Sequence, residues 1–344
     1  MIAEPYSYQA ASAVLRENTA IVVPVCFPPH IDAAEGARVL RDTLAACRDQ
    51  VSAPAVCLSV DGADCGAAVA EPLAREFGAT LMVGAKNRGK FMAVANGVAR
   101  MDQNAGWRYV AVVDQDGDHF LNELLNFVRA AEHIRAHTGL ERILVLGRRI
   151  SRHRPMGLLR GELEELADRV LLDALTYHSF AAKQPLRLEY AFMHDEFPDF
   201  HSGYKLFSRQ TAGEVFLCEP NLCGVPEACY YRHGVEAVMT VEAMIRGAYL
   251  GVVNRSTLNE QPFSTFGVLE RCQLVADKMI WPLRRLNVPP AFVRQWLANP
   301  LARLLLGTLL PQGKEELQRI AELTLQGCVA DPAAAADFLQ PLFL

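Results

Sequence analysis

Between residues 19 and 146, short β-branched apolar runs alternate with segments whose apolar residues recur at helical spacing. Such alternation restricts a chain to a parallel sheet with helices packed on both faces. Strands are expected at 19–27, 55–60, 80–83, 108–113 and 142–146, and helices at 34–48, 65–77, 91–101 and 122–137. In the first helix Ala37, Leu40 and Leu44 share a face. A long helical stretch over 156–182 then interrupts the pattern. Further strands are expected at 202–208 and 250–254, with helices at 210–217 and 237–246 between them. Beyond Phe263 the pattern is helical to the end, broken at Pro289-Pro290, Pro300, Pro311 and Pro332. The expected organisation is an α/β catalytic domain over 1–262 and a helical appendage over 263–344, which packs on the sheet or on a second copy of the chain.

Composition narrows the partners. Of 344 residues 51% are hydrophobic, enough to bury a large core. With 39 acidic and 34 basic side chains, the formal net charge of −5 offers no long-range attraction to nucleic acid or anionic lipid. Glu4 precedes any basic residue and no apolar core follows over residues 1–16, so a secretory signal is not expected. The longest early apolar run, 20–29, contains Pro24 and is far shorter than the roughly 20 residues of a spanning helix. Nine cysteines lack paired spacing, and Cys26 and Cys57 lie in apolar stretches, as buried reduced thiols do. A cytoplasmic location is expected.

Directly after the fourth expected strand stands Asp114-Gln115-Asp116-Gly117-Asp118-His119. In open α/β sheets ligands bind beyond the carboxyl ends of the strands. Hard cations take oxygen ligands, and Mg²⁺ is commonly held by one or two carboxylates with substrate phosphates. Asp114, Asp116 and Asp118 have that chemistry. The simpler alternative is an acidic turn in which Asp118 caps the next helix. Lys90, beside Gly89 at a helix start, suits a phosphate, because free backbone N–H groups and an ammonium both favour an anion; it reads equally as a solvated surface lysine.

The acidic run, followed by Leu121, Leu124 and Leu125, resembles the Asp-x-Asp region of family-two glycosyltransferases, above all the soluble catalytic part of polyprenyl-phosphate sugar synthases. Three further segments resemble the same family in the same order. Val23-Pro24-Val25-Cys26 is similar to its nucleotide pocket, Asp61 to its base-contacting acid, and residues 87–97 to its Gly-Lys loop and helix. Phe91-Met92 departs from the small residues often found after that Gly-Lys. The resemblance implies a GT-A-type, Rossmann-like mixed α/β sheet flanked by helices. It implies transfer of a sugar from a UDP- or GDP-sugar donor to a hydroxyl acceptor, with Mg²⁺ or Mn²⁺ on Asp114, Asp116 and Asp118. Donor contacts would come from Pro24, Asp61, Arg88, Lys90 and Asp114.

On the acceptor side, Asp199-Phe200-His201-Ser202-Gly203-Tyr204-Lys205 resembles the segment lining the family's acceptor pocket, and Ser202-Gly203 permits close backbone approach. A plain turn entering a strand is the other reading. Asp199 and Glu236 are the candidate catalytic acids. His233-Gly234-Val235-Glu236 occupies the place of a Glu-Asp pair in inverting relatives, with Ala237 where the second acid would stand. The same stretch resembles retaining sugar-phosphoglycerate synthases, whose acidic and histidine residues here serve donor and metal binding. His233 is thus a metal ligand or a helix cap. Arg148, Arg149, Arg152 and Arg154 bind an anionic acceptor or, more simply, form a solvated loop. A zinc cluster of Cys218, Cys223, Cys229 and His233 lacks the paired spacing of common zinc sites. Two rival functions are a sugar nucleotidyltransferase and a noncatalytic nucleotide-sugar-binding protein. The first needs a Gly-rich phosphate loop where Cys26-Phe27-Pro28-Pro29-His30 has no glycine, and the second is supported only by the missing acid. A homodimer is left open.

Overall fold

A computed structural model describes residues 6–27, 31–104, 106–191, 197–257 and 270–329. The elements are α1 (Tyr8–Asn18), β1 (Thr19–Val25), α2 (Ala33–Gln50), β2 (Val56–Val60), α3 (Ala67–Phe77), β3 (Thr80–Val83), α4 (Lys90–Asp102), β4 (Tyr109–Val112), α5 (Leu124–Thr138), β5 (Ile143–Arg149), α6 (His153–Ala182), β6 (Lys205–Ser208), α7 (Arg209–Phe216), α8 (Val235–Met244), β7 (Tyr249–Arg255), α9 (Arg271–Arg285), α10 (Pro290–Leu301), α11 (Leu306–Leu309) and α12 (Gly313–Cys328).

The strands form one seven-stranded sheet in the order β3-β2-β1-β4-β6-β5-β7. β6 runs antiparallel to both neighbours, β4 and β5, while the other pairings are parallel. The fold class is thus a mixed, helix-flanked α/β sheet rather than a wholly parallel one. Strands β1, β2, β4, β5 and β6 are buried along their whole length, which explains the apolar character of β1, β2 and β4. Ile21, Val23 and Val25 of β1 join a core with α1, α2, α3 and α5, while Ala20 and Val22 join the core on the other face. Each such fully buried aliphatic side chain contributes roughly 1.5–3 kcal/mol.

Pro24 lies in this central strand without costing a ladder bond. Val22 O accepts from Val113 N, so the backbone groups of residues 22 and 24 face β4, whose pairing with β1 ends at Val22↔Val112. The break in the helical pattern expected at Pro300 falls one residue later: Pro300 sits in the last turn of α10, which ends at Leu301. The first helix, α1, was not foreseen; Ser7 caps it and Ala11 and Leu15 bury its inner face.

The boundary expected at 262/263 lies outside the described residues, as does Pro332. Helices α9 to α12 contribute Trp281, Leu297, Leu306, Leu317 and Ile320 to the same core as Val22 and Leu146 of the sheet. Among the described residues no helix is long and apolar enough to cross a membrane.

Candidate active site

The chain leaving each of β1, β2 and β4 is tied to its neighbours at one edge of the sheet. After β4, Gln115 reaches back to β1: its side-chain amide accepts from Cys26 N at 3.0 Å and donates to Cys26 O at 2.7 Å. After β2, the buried Asp61 carboxylate accepts from the backbone N–H groups of Arg88 (2.9 Å) and Gly89 (2.7 Å). The acid expected at a nucleotide base therefore holds the loop that starts α4, with charge-assisted hydrogen bonds to both amides. Gly89 has φ 123°, and a Cβ there would strike the Tyr231 carbonyl, so only glycine fits.

That loop delivers Lys90 to the acidic strand end. Its Nζ lies 2.7 Å from Asp114 Oδ1 and 2.9 Å from Glu236 Oε1, the latter on the first turn of α8. Burial opposes the Lys90 charge, but Asp114 and Glu236 outweigh it and raise its pKa. Burial likewise opposes the Glu236 charge, and Lys90 and Lys205 hold that carboxyl below its ordinary value. Glu236, expected as a general base, is an ionised group committed to an ammonium. Asp116 is pushed up to about 6 by burial and by the neighbouring Asp114 and Asp118.

Asp118 has a cation of the chain itself beside it. Its Oδ2 lies 3.2 Å from Arg255 Nη2 in a nearly dry setting, and Arg255 Nη1 donates to Asp118 O at 3.1 Å. It caps no helix, since Glu123 is the N-cap of α5. His119 accepts from Asp114 N through Nδ1 at 3.0 Å and stacks on Tyr204, with centroids 4.6 Å apart. Burial, with Arg255 and Lys90 nearby, holds its pKa well below 6.5, so the ring is neutral. A cavity of about 750 Å³ opens beside Asp116, between α2 and residues 117–122.

Strand β6 brings the opposite wall. A Cβ on Gly203 would lie 2.5 Å from Asp114 Oδ2 and 3.2 Å from Lys90 Nζ, so the backbone before β6 rests directly on that ion pair. Buried Lys205 donates to Phe200 O at 3.0 Å and to Ser202 O, fixing the shape of this loop. Burial, and then Lys90, lower its pKa to about 8 against the pull of Glu236.

Asp199 is not at the Lys90 pair. It is buried and takes a two-point contact from Arg149, Nε at 2.7 Å and Nη2 at 2.6 Å, with Arg149 N at 3.1 Å. Arg149 Nη2 also lies 2.6 Å from Glu164, which receives Lys278 and Arg160 at 3.3 Å each. Asp168 receives Arg152 at 3.1 Å and His201 Nδ1 at 2.7 Å. Burial opposes these charges, but Arg149 outweighs it and keeps Asp199 and Glu164 below their ordinary range. Arg149 and Arg152 are thus interior residues rather than a solvated loop; Arg148 Nε bonds Asn254 Oδ1 at 2.8 Å. The Arg154 side chain lies outside the described residues.

Two further expected residues face elsewhere. His233 Nδ1 lies 2.6 Å from Asp277 Oδ2 on α9, and Gly234 is the N-cap of α8. Arg88 Nη2 lies 2.9 Å from Glu227, with its guanidinium 4.7 Å from the Tyr231 ring centroid. Among the described residues no group of three or more His, Cys, Asp or Glu side chains is placed to hold a metal ion. The four expected ligands therefore form no protein-only site; Asp114 and Asp116 are the pair whose crowded negative charge suits a cation that arrives with its own phosphate oxygens. Lys205, Arg255 and Gln115 were missed as site residues. A lysine inside the buried run Tyr204-Lys205-Leu206-Phe207 was the one signal available.

No family model matches this chain, and no curated protein matches it by sequence. Among solved structures it is similar to a mycobacterial protein, with 19% identity and a TM-score of 0.47 over 83% of this chain and 79% of that one. It is also similar to residues 1–349 of TarS from S. aureus, with 12% identity and a TM-score of 0.38 over 90% of each chain. At these levels neither bears on function.

Proposed function

We propose that the chain is a cation-assisted glycosyltransferase that binds a nucleoside-diphosphate sugar at the ends of β1, β2 and β4 and passes the sugar to a hydroxyl acceptor. The carrying observation is crowded negative charge: Asp114 and Glu236 share the ammonium of Lys90, with Lys205 also acting on Glu236, while Asp116 is left among Asp114 and Asp118 with its pKa raised. A diphosphate is repelled by such a site unless a divalent cation enters with it. Asp114 and Asp116 would hold Mg²⁺ or Mn²⁺, which supplies Lewis-acid stabilisation of the charge that grows on the departing diphosphate.

The protein's own groups do the rest. Lys90, at the start of α4, is placed for a phosphate oxygen, where ammonium and helix terminus act together. Glu236 balances Lys90 rather than taking a proton, because a carboxylate held low is a weak base at neutral pH. That favours the resemblance to retaining sugar-phosphoglycerate synthases over the inverting relatives. The loop before β6, stiffened by Lys205 and the Arg149 network, forms the acceptor side.

Calorimetric titration of UDP, GDP and their common sugars, with and without Mn²⁺, tests this reading. One nucleotide should bind only with the cation, and Asp116→Asn should abolish that binding. Turnover of the bound donor separates an enzyme from a noncatalytic binder. If no nucleotide binds under either condition, the proposal fails.

A further inference from the structure

Asp114, Asp116 and Asp118 alternate along one turn, yet the fold answers them unequally. Lys90 Nζ stands 2.7 Å from Asp114 at one end of the turn, and Arg255 Nη2 stands 3.2 Å from Asp118 at the other. Asp116 lies between these acids, its pKa raised by burial and by both of them. A turn that reads in sequence as three equal oxygen donors is therefore two internally answered carboxylates flanking one that folding leaves under strain of like charge.

Arg255, the last residue of β7, is only 1% exposed, and Asp118 only 2%. Its guanidinium is fastened on several sides. Nη1 donates to Asp118 O at 3.1 Å and to Ser256 O at 3.3 Å, and Nε donates to Gly147 O at 3.3 Å and to Ser202 Oγ at 3.4 Å. Its stem runs past Gly147, where a Cβ would lie 2.9 Å from Arg255 Cδ. Turning the side chain away from Asp118 would forfeit these bonds as well, and a buried guanidinium keeps its charge because arginine does not lose its proton in proteins.

We propose that Arg255 sets the ligand set of the cation: it withholds Asp118, so that Mg²⁺ or Mn²⁺ meets Asp114 and Asp116 and is held firmly only together with the donor's phosphates. The inference rests on the cation-assisted reading above and narrows it. A divalent ion on Asp118 Oδ2 would share that oxygen with a fixed guanidinium, like charge against like charge. With Lys90 on Asp114 as well, the protein alone offers a hard cation too few oxygens, and the oxygens of a nucleoside diphosphate complete the set. The resemblance to polyprenyl-phosphate sugar synthases implies Asp118 as a third ligand. In this chain that position is already occupied by the protein's own cation.

Titration of the full chain with Mn²⁺ in the absence of nucleotide, followed by the electron paramagnetic resonance of the free ion, tests the proposal. Wild type should hold Mn²⁺ weakly. Arg255→Met should hold it about ten-fold more tightly, because Asp118 then joins Asp114 and Asp116. Combining Arg255→Met with Asp118→Asn should remove that gain. Far-UV circular dichroism checks that each variant is folded. Where Arg255→Met does not fold, Asp118→Asn decides: it should weaken Mn²⁺ binding far less than Asp116→Asn does. A folded Arg255→Met that binds Mn²⁺ no more tightly than wild type overturns the proposal, as do equal losses in Asp118→Asn and Asp116→Asn. No nucleotide is present, so these outcomes are distinct from failure of the glycosyltransferase reading, which turns on whether wild type binds a nucleotide at all.

Discussion

Two regions of this molecule gather carboxylates, and they treat them in opposite ways. Around Arg149, each buried acid has a cation within hydrogen-bond or ion-pair distance: Asp199 and Glu164 share Arg149, Glu164 adds Lys278 and Arg160, and Asp168 takes Arg152. At the end of β4, Asp114, Asp116 and Glu236 have Lys90 among them, and Asp116 is left with a raised pKa. A matched network is finished by folding, whereas an unmatched one awaits a ligand. Breaking a buried pair strands a charge and costs stability, while removing an unmatched anion should cost binding.

The largest effect should come from Arg149→Met, which takes from Asp199 its two-point partner and from Glu164 its nearest cation, and should cost about 3–5 kcal/mol in urea unfolding. If stability were unchanged, the network would not be structural and Asp199 would return as a catalytic candidate. Next, Asp116→Asn should leave cation-free stability intact yet lose the ligand stabilisation that thermal shift reports, about 2.7 kcal/mol at a hundred-fold excess over Kd. A stability loss as large as that of Arg149→Met would erase the distinction between the regions.

Gly203→Ala joins them. Its new methyl would press on Asp114 Oδ2, 2.5 Å away, and should cost about 1–3 kcal/mol while weakening nucleotide binding in calorimetry. The smallest effect is a slope against pH. Burial opposes the Glu164 charge, but Arg149, Lys278 and Arg160 hold its pKa well below 4.5. A carboxylate depressed in the folded state contributes fully above its unfolded pKa and loses that contribution as pH falls through the folded one. Wild-type stability should therefore fall on acidification below about pH 4.5, and Glu164→Gln should fall less steeply over the same range.

The parts of the site legible in the sequence were those written in one short stretch. Asp114 and Asp116 follow an apolar strand, and Lys90 follows a glycine at a helix start. Periodicity placed both at strand and helix ends, and the structure joins them at 2.7 Å. What the sequence did not show depended on partners far along the chain. Asp118 answers to Arg255, 137 residues away, and Glu236 to Lys90, 146 residues away. Asp199 looked like an acid beside an acceptor loop because nothing near it in sequence reveals that Arg149 folds onto it.

Local pattern alone determined that the chain would make a helix-covered sheet, where its strands would run, and that an acidic turn would stand at the end of one of them. These follow from apolar periodicity and turn chemistry, which act over a few residues. The tertiary structure decided the insertion of antiparallel β6, the matching of each charge with its partner, and the packing of α9 to α12 into the core of the sheet. Those outcomes depend on burial, which makes an unpaired charge costly and so selects partners by their position in space.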